Sequence, residues 1–186
     1  MSKAEEHGWR LRSRETVFDN DFISILEDKV INPADKEGFY SVVHFKREAV
    51  AIIPLDEEMN TWIVGQYRYP LDRYEWEVPE GGSDENDPLV TAKRELIEEA
   101  GIKANRFDLI LEMQLSNSGT DEVSFTYLAR DLEVVEAQPE ETEVLTIKKL
   151  PFSELVEMVM KGEIRDALSI ASILKLQQLI QLNQLP

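Results

Sequence analysis

Glu95, Glu98 and Glu99 stand at i, i+3 and i+4 within Arg94-Glu95-Leu96-Ile97-Glu98-Glu99-Ala100-Gly101-Ile102. On a helix this spacing projects three carboxylates from one face, within side-chain reach of each other. Like charges so placed are mildly destabilising, and these lie toward the C-terminal end, where the helix dipole also disfavours anions. A bound cation offsets both effects. Hard divalent ions take oxygen ligands, and Mg2+ in particular combines a few carboxylates with waters and substrate phosphates. A solvated acidic helix face is the ordinary alternative for such a run. Here Arg94, Gly101 and the glycine pair of Glu77-Val78-Pro79-Glu80-Gly81-Gly82 flank it, and paired glycines allow backbone conformations that a side chain forbids.

Together these stretches resemble the signature of the Nudix hydrolases, G-x5-E-x7-R-E-U-x-E-E-x-G-U with U apolar. The second half matches from Arg94 through Ile102, whereas Gly81 lies one residue closer to Arg94 than the pattern asks. Glu85 or Asp87 must then stand in for the first glutamate, with Asn86 at its nominal position. The resemblance implies that this alters loop shape more than metal binding. The segments Gly65-Gln66-Tyr67-Arg68-Tyr69-Pro70 and Ser116-Asn117-Ser118-Gly119-Thr120-Asp121-Glu122 extend the likeness to the branch that hydrolyses ADP-ribose and nucleoside diphosphate sugars. By this resemblance Glu95 and Glu99 are the principal Mg2+ ligands, with Mn2+ an alternative ion. Glu98 is a further ligand, the Glu80 carbonyl fills another position, and Arg94 orients the carboxylates. Glu122 is the candidate base, with Glu112 a competitor, while Arg68, Glu77 and Trp76 are candidates for substrate contact. The implied reaction is hydrolysis of a diphosphate to a nucleoside monophosphate and a sugar phosphate. The alternatives are a hydrolase of dinucleotides or noncanonical nucleoside triphosphates, and a Nudix-fold sensor that does not cleave its ligand.

Positioning these groups falls to a chain that reads as strands first and helices later. Thr16–Phe18, Phe22–Leu26 and Phe39–Phe45 have strand character, punctuated by Asp19-Asn20-Asp21 and Asn32-Pro33-Ala34-Asp35. Strands are also expected at 49–54, 61–69, 74–78, 107–115, 122–128 and 142–148. Asp87 is a plausible N-cap with Pro88 at the first helical position and Gly101 as the stop, which predicts a helix over 88–100. Helices are expected over 151–161 and 163–182. The pattern argues for an α+β fold, and the resemblance makes it a Nudix-type α/β/α sandwich with a mixed sheet. Residues 1–48 form a small N-terminal antiparallel β-region, which the resemblance implies serves homodimerisation; 49–186 form the hydrolase domain. Tyr69, Trp76 and Phe125 have the chemistry to stack on a base, but aromatics at strand spacing are more often core. His7 and His44 lack metal-ligand spacing.

Composition bounds the rest. The 186 residues carry 37 acidic against 20 basic side chains, a formal net charge of −17. Such a field repels nucleic-acid backbones and anionic lipid, so a phosphate substrate needs a bound cation or a local basic pocket. Nucleic-acid and membrane partners are accordingly not expected. The absence of cysteine excludes disulfides, thiolate zinc sites and a cysteine nucleophile. The N-terminus lacks the apolar stretch of a secretory signal, and the cytoplasm is the expected location.

Overall fold

The computed structural model describes residues 3–83, 87–137 and 144–186. Among these the chain forms two compact units, the first running to Arg47 and adding Gln114–Glu122, the second comprising Glu48–Met113 and Val123–Pro186.

In the first unit a single helical turn, Lys3–Glu6 (α1), precedes a three-stranded antiparallel sheet of Arg10–Asp19 (β1), Ile23–Ile31 (β2) and Glu37–Phe45 (β3). Both turns are built by asparagine. The Asn20 side chain accepts from the amides of Phe22 and Ile23, and that of Asn32 from Ala34 and Lys36. β1 is exposed at every position, so only β2 and β3 shelter apolar side chains. β1 is held to β2 partly by Arg14, whose Nε and Nη2 meet the two oxygens of Asp28 at 2.7 and 2.8 Å. The segment Gln114–Glu122 lies along β3: Val43 N donates to Gly119 O at 2.9 Å, and Tyr40 Oη to Ser118 O at 2.8 Å.

The second unit centres on Ala49–Pro54 (β4), which runs parallel to Val123–Val134 (β9). Glu80–Gly82 (β7) pairs antiparallel on the other edge of β4, and Ile102–Gln114 (β8) lies beyond β9, giving the order β7-β4-β9-β8. A second sheet sets Asn60–Arg68 (β5) between Arg73–Glu77 (β6) and Thr146–Pro151 (β10), all antiparallel. β4 reads as an unbroken apolar run because both faces are covered. Val50 and Ile52, with Tyr127 and Ala129 of β9, pack on Ala92, Leu96 and Ala100 of the helix Pro88–Ala100 (α2). Thr126 on the opposite face of β9 bonds Ser172 on the helix Ala167–Gln181 (α4) at 2.7 Å. The helix Phe152–Lys161 (α3) packs against α4 and β10. This is the expected mixed sheet between helical layers.

Several boundaries differ from expectation. β8 begins at Ile102, directly after the left-handed Gly101, and not at 107. β9 runs on to Val134. β10 begins at Thr146, while the expected start at Thr142 lies outside the described residues. α4 starts at Ala167 and not at Glu163, since Asp166 caps it by accepting from Ser169 N at 2.6 Å. Glu85 and Asn86 also lie outside the described residues.

Candidate active site

α2 is delimited as its sequence predicts. Asp87 accepts from Leu89 N, Pro88 opens the first turn, and Gly101 at φ 63° returns its N–H to Leu96 and Ile97. The apolar stripe that seats the helix on β4 and β9 fixes its rotation, and that rotation turns Glu95 and Glu99 inward with Thr91, Ala92 and Leu96. Glu99 is only 2% exposed and Glu95 is also buried, whereas Glu98 is half-buried. A solvated acidic face is thereby excluded for two of the three carboxylates. Burying them requires partners. Arg94 supplies some, with Nη2 at 2.7 Å from Glu95 Oε1 and Nη1 at 2.5 Å from Glu98 Oε2. The Glu80 amide donates to Glu99 Oε2 at 2.8 Å.

β7 lies against this face, and Gly81 is what permits the approach: a Cβ there would collide with the Glu95 carboxylate. The neighbouring Glu80 side chain meets Arg68 Nη2 at 2.8 Å through Oε1, while its Oε2 is buried without a hydrogen bond. Burial first, and then the charges of Asp166, Glu77 and Glu99, push the Glu80 carboxyl well above the ordinary range despite Arg68. Arg68 also forks onto the buried Glu77, with Nε 3.0 Å from both oxygens and Nη2 2.5 Å from Oε2.

These oxygen donors fit a hard divalent cation in kind. The orphaned Glu80 oxygen and the buried Glu95 and Glu99 are what such an ion would use. Among the described residues no three acidic or histidine side chains yet converge as a cage. Arg94 holds Glu95 and Glu98, and the Glu80 amide engages Glu99. Mg2+ asks for no full cage, since it retains waters and takes phosphate oxygens.

Arg68, Glu77 and Glu80 open onto a cleft of about 470 Å3 that also includes Glu75, Arg73 and Arg165. Trp76 does not line it: strand alternation sends it to the other face of β6 from Glu75 and Glu77, and it meets Tyr74 edge-on at 5.7 Å. Phe125 packs against the α2 core, and Tyr69 is exposed. Glu112 is exposed on β8. Glu122 ends the Gln114–Glu122 segment of the first unit, half-buried, beside Asp121, which pairs with His44 Nδ1 at 2.5 Å. His7 is exposed. The sequence reading missed Glu75, Arg73 and Arg165. The signal lay in the alternation, because Glu75 and Arg73 stand two and four residues before Glu77 on one strand face.

The NUDIX domain profile matches residues 45–171. The chain is 34% identical over 175 residues to an ADP-ribose pyrophosphatase of Mycobacterium tuberculosis, covering 91% of this chain and 83% of that protein. It is 29% identical over 168 residues to an ADP-ribose pyrophosphatase of Bacillus subtilis, covering 89% and 90%. A GDP-mannose pyrophosphatase of Cronobacter sakazakii is 29% identical over 150 residues, covering 77% and 75%. The crystal structure of an ADP compounds hydrolase superposes with a TM-score of 0.84 over 95% of this chain and 97% of that one, at 19% identity, a likeness of fold.

Proposed function

This chain belongs to the NUDIX family, and on that premise we propose that it is a divalent-metal-dependent pyrophosphatase, with Mg2+ as the ion, acting on ADP-ribose or a related nucleoside diphosphate sugar. The observation that carries the reading is the pair of buried carboxylates, Glu95 and Glu99, facing the Gly81 strand beside a cleft edged by Arg68. Relatives named for ADP-ribose and GDP-mannose hydrolysis support the substrate class.

In this reading Glu95 and Glu99, with Glu98 and the Glu80 carbonyl, hold the ion. When bound, the ion neutralises nonbridging phosphate oxygens and acidifies water. Arg94 keeps Glu95 and Glu98 aligned through its two contacts. Arg68, oriented by Glu77, is placed for the diphosphate, and its planar fork suits phosphate oxygens. By the family resemblance Glu122 is the candidate base for the attacking water, whose oxygen bonds to phosphorus as the bridging phosphoanhydride P–O bond breaks, giving a nucleoside monophosphate and a sugar phosphate. The exposed Leu11, Val17, Phe18, Phe22 and Phe39 of the first unit support a homodimer through that sheet. Light scattering is expected to give twice the 21.4 kDa chain mass; a monomer at micromolar concentration would rule the dimer out.

The deciding experiment is release of AMP from ADP-ribose with Mg2+. Glu99→Gln is expected to lower kcat about a thousandfold, as loss of several kcal/mol of charge stabilisation implies. Unchanged turnover in that variant would remove Glu99 from the mechanism. Ligand binding without any AMP release in the wild-type chain would make it a sensor.

A further inference from the structure

We infer that the cleft carries a second anion subsite, formed by Arg165 and Arg73 and braced by the buried Glu75, which favours nucleoside diphosphate derivatives whose far arm bears an additional phosphate or carboxylate. The inference rests on the pyrophosphatase reading above and narrows its substrate class.

The cleft is polarised. Glu77, Glu75 and Arg73 alternate along one face of β6, and all three line it. Residues two apart on a strand are about 7 Å apart, so the line from Glu77 to Arg73 covers about 13 Å. At one end stand Glu77 and Glu80, with Asp166 the charge that bears most on Glu80. That end adjoins α2 through the bond from Glu80 N to Glu99, and its arginine, Arg68, is engaged by Glu77 and Glu80.

The other end is cationic. Glu75 is 3% exposed, and its two carboxylate oxygens are sealed from solvent with no hydrogen bond among the described residues. Its partners are two ion pairs, one to Arg73 Nε and one to Arg165 Nη1 at 3.5 Å. A buried carboxylate of this kind is costly to maintain without an opposing charge. Because its oxygens are inaccessible, Glu75 is a positioning residue: it anchors the two guanidinium groups. One carboxylate facing two arginines leaves a positive charge in excess. Both arginines remain about half exposed, and each guanidinium carries five donors, of which the contact to Glu75 engages one.

On a chain of net charge −17, this is a local site of opposite sign inside the same cleft as the acidic end. A diphosphate held at the carboxylate end directs its other arm along β6 toward Arg73 and Arg165. A neutral sugar finds no charge partner there, whereas a phosphate or carboxylate meets planar forks suited to bidentate contact.

The test compares kcat/KM of the full chain for ADP-ribose and for ADP-ribose phosphorylated on its terminal ribose, at fixed Mg2+. Wild type is expected to prefer the phosphorylated substrate about tenfold, carried in KM, as one charge-assisted contact implies. Arg165→Gln should bring the ratio toward one, and Arg165→Lys, which keeps the charge and loses the fork, should fall between. Equal use of both substrates by wild type, or a ratio unchanged in Arg165→Gln, overturns the subsite while leaving the hydrolase reading intact. Calorimetric titration with ribose 1-phosphate, whose phosphate lies away from the carbon that carries the diphosphate, and with ribose, in buffer containing EDTA, reads the subsite without turnover. Tighter binding of ribose 1-phosphate that weakens in Arg165→Gln is expected, and equal affinity for the two sugars overturns the subsite. Should neither nucleotide be cleaved while ribose 1-phosphate still binds through Arg165, the hydrolase reading falls and the anion site stands. If Arg165→Gln does not fold, the same titration on Arg165→Lys decides.

Discussion

Gly81 has no room for a side chain, because its missing Cβ is where the Glu95 carboxylate lies. Arg94 holds that carboxylate, so Glu95 cannot simply swing aside. Gly81→Ala is therefore expected to weaken divalent-metal affinity or activity about 10- to 100-fold, the usual effect of disturbing the groups that orient metal ligands. Calorimetric titration with Mn2+ and the AMP-release assay would measure it, and an unaltered metal affinity would count against Glu95 as a ligand. The carboxylate row itself was legible in the sequence, since i, i+3, i+4 spacing is a local property of a helix. The partition within it was not: that Glu95 and Glu99 are buried while Glu98 is half-buried depends on which stripe of α2 meets β4 and β9. The Arg68–Glu77–Glu80 network was equally hidden. It depends on the β5–β6 pairing, in which Arg68 lies opposite Arg73 and its long side chain reaches along the strands to Glu77, and no local spacing encodes a register.

Elements were legible where several signals agreed. For α2 the cap, the proline and the terminal glycine all marked the same ends, and the helix spans the predicted residues. For α4 the apolar pattern alone suggested a start at Glu163, because Ile164 is as apolar as the helix that follows. Ile164 is indeed buried, but from the connection that follows the left-handed Gly162. The start is set instead by Asp166 accepting from Ser169 N. Asp166→Ala is expected to cost about 1 kcal/mol of stability through loss of that cap. Thermal or urea unfolding would register it, and an unchanged midpoint would show that α4 is held by packing alone. β8 was begun too late because Lys103, Asn105 and Arg106 are polar. A strand exposed along much of its length tolerates them, and Ile102 and Ile110 supply its buried positions.

At the scale of the whole molecule the first unit has the weaker apolar shelter, with β1 exposed throughout, so its ion pairs matter more. The hydrogen bonds from Arg14 hold the Asp28 carboxyl below its usual range. A carboxylate whose folded value is depressed stabilises above its unfolded value and loses that contribution as pH falls through the folded one. Asp28→Asn is thus expected to cost about 1 kcal/mol at neutral pH, allowing for solvent screening at the half-exposed Arg14. The gap to wild type should close below about pH 4. Melting curves across that interval measure it, and a gap independent of pH would assign the loss to packing. Elsewhere, Ser169 Oγ accepts from the amide of Val78 at 3.1 Å, across 91 positions of sequence. That bond is a rivet between the first turn of the carboxyl-terminal helix and the strip of chain leading into Glu80. Shortening the protein as far as this helix would therefore do more than trim a surface: the strip that leads into Glu80 would lose its brace together with the buried Ile173 and Leu176.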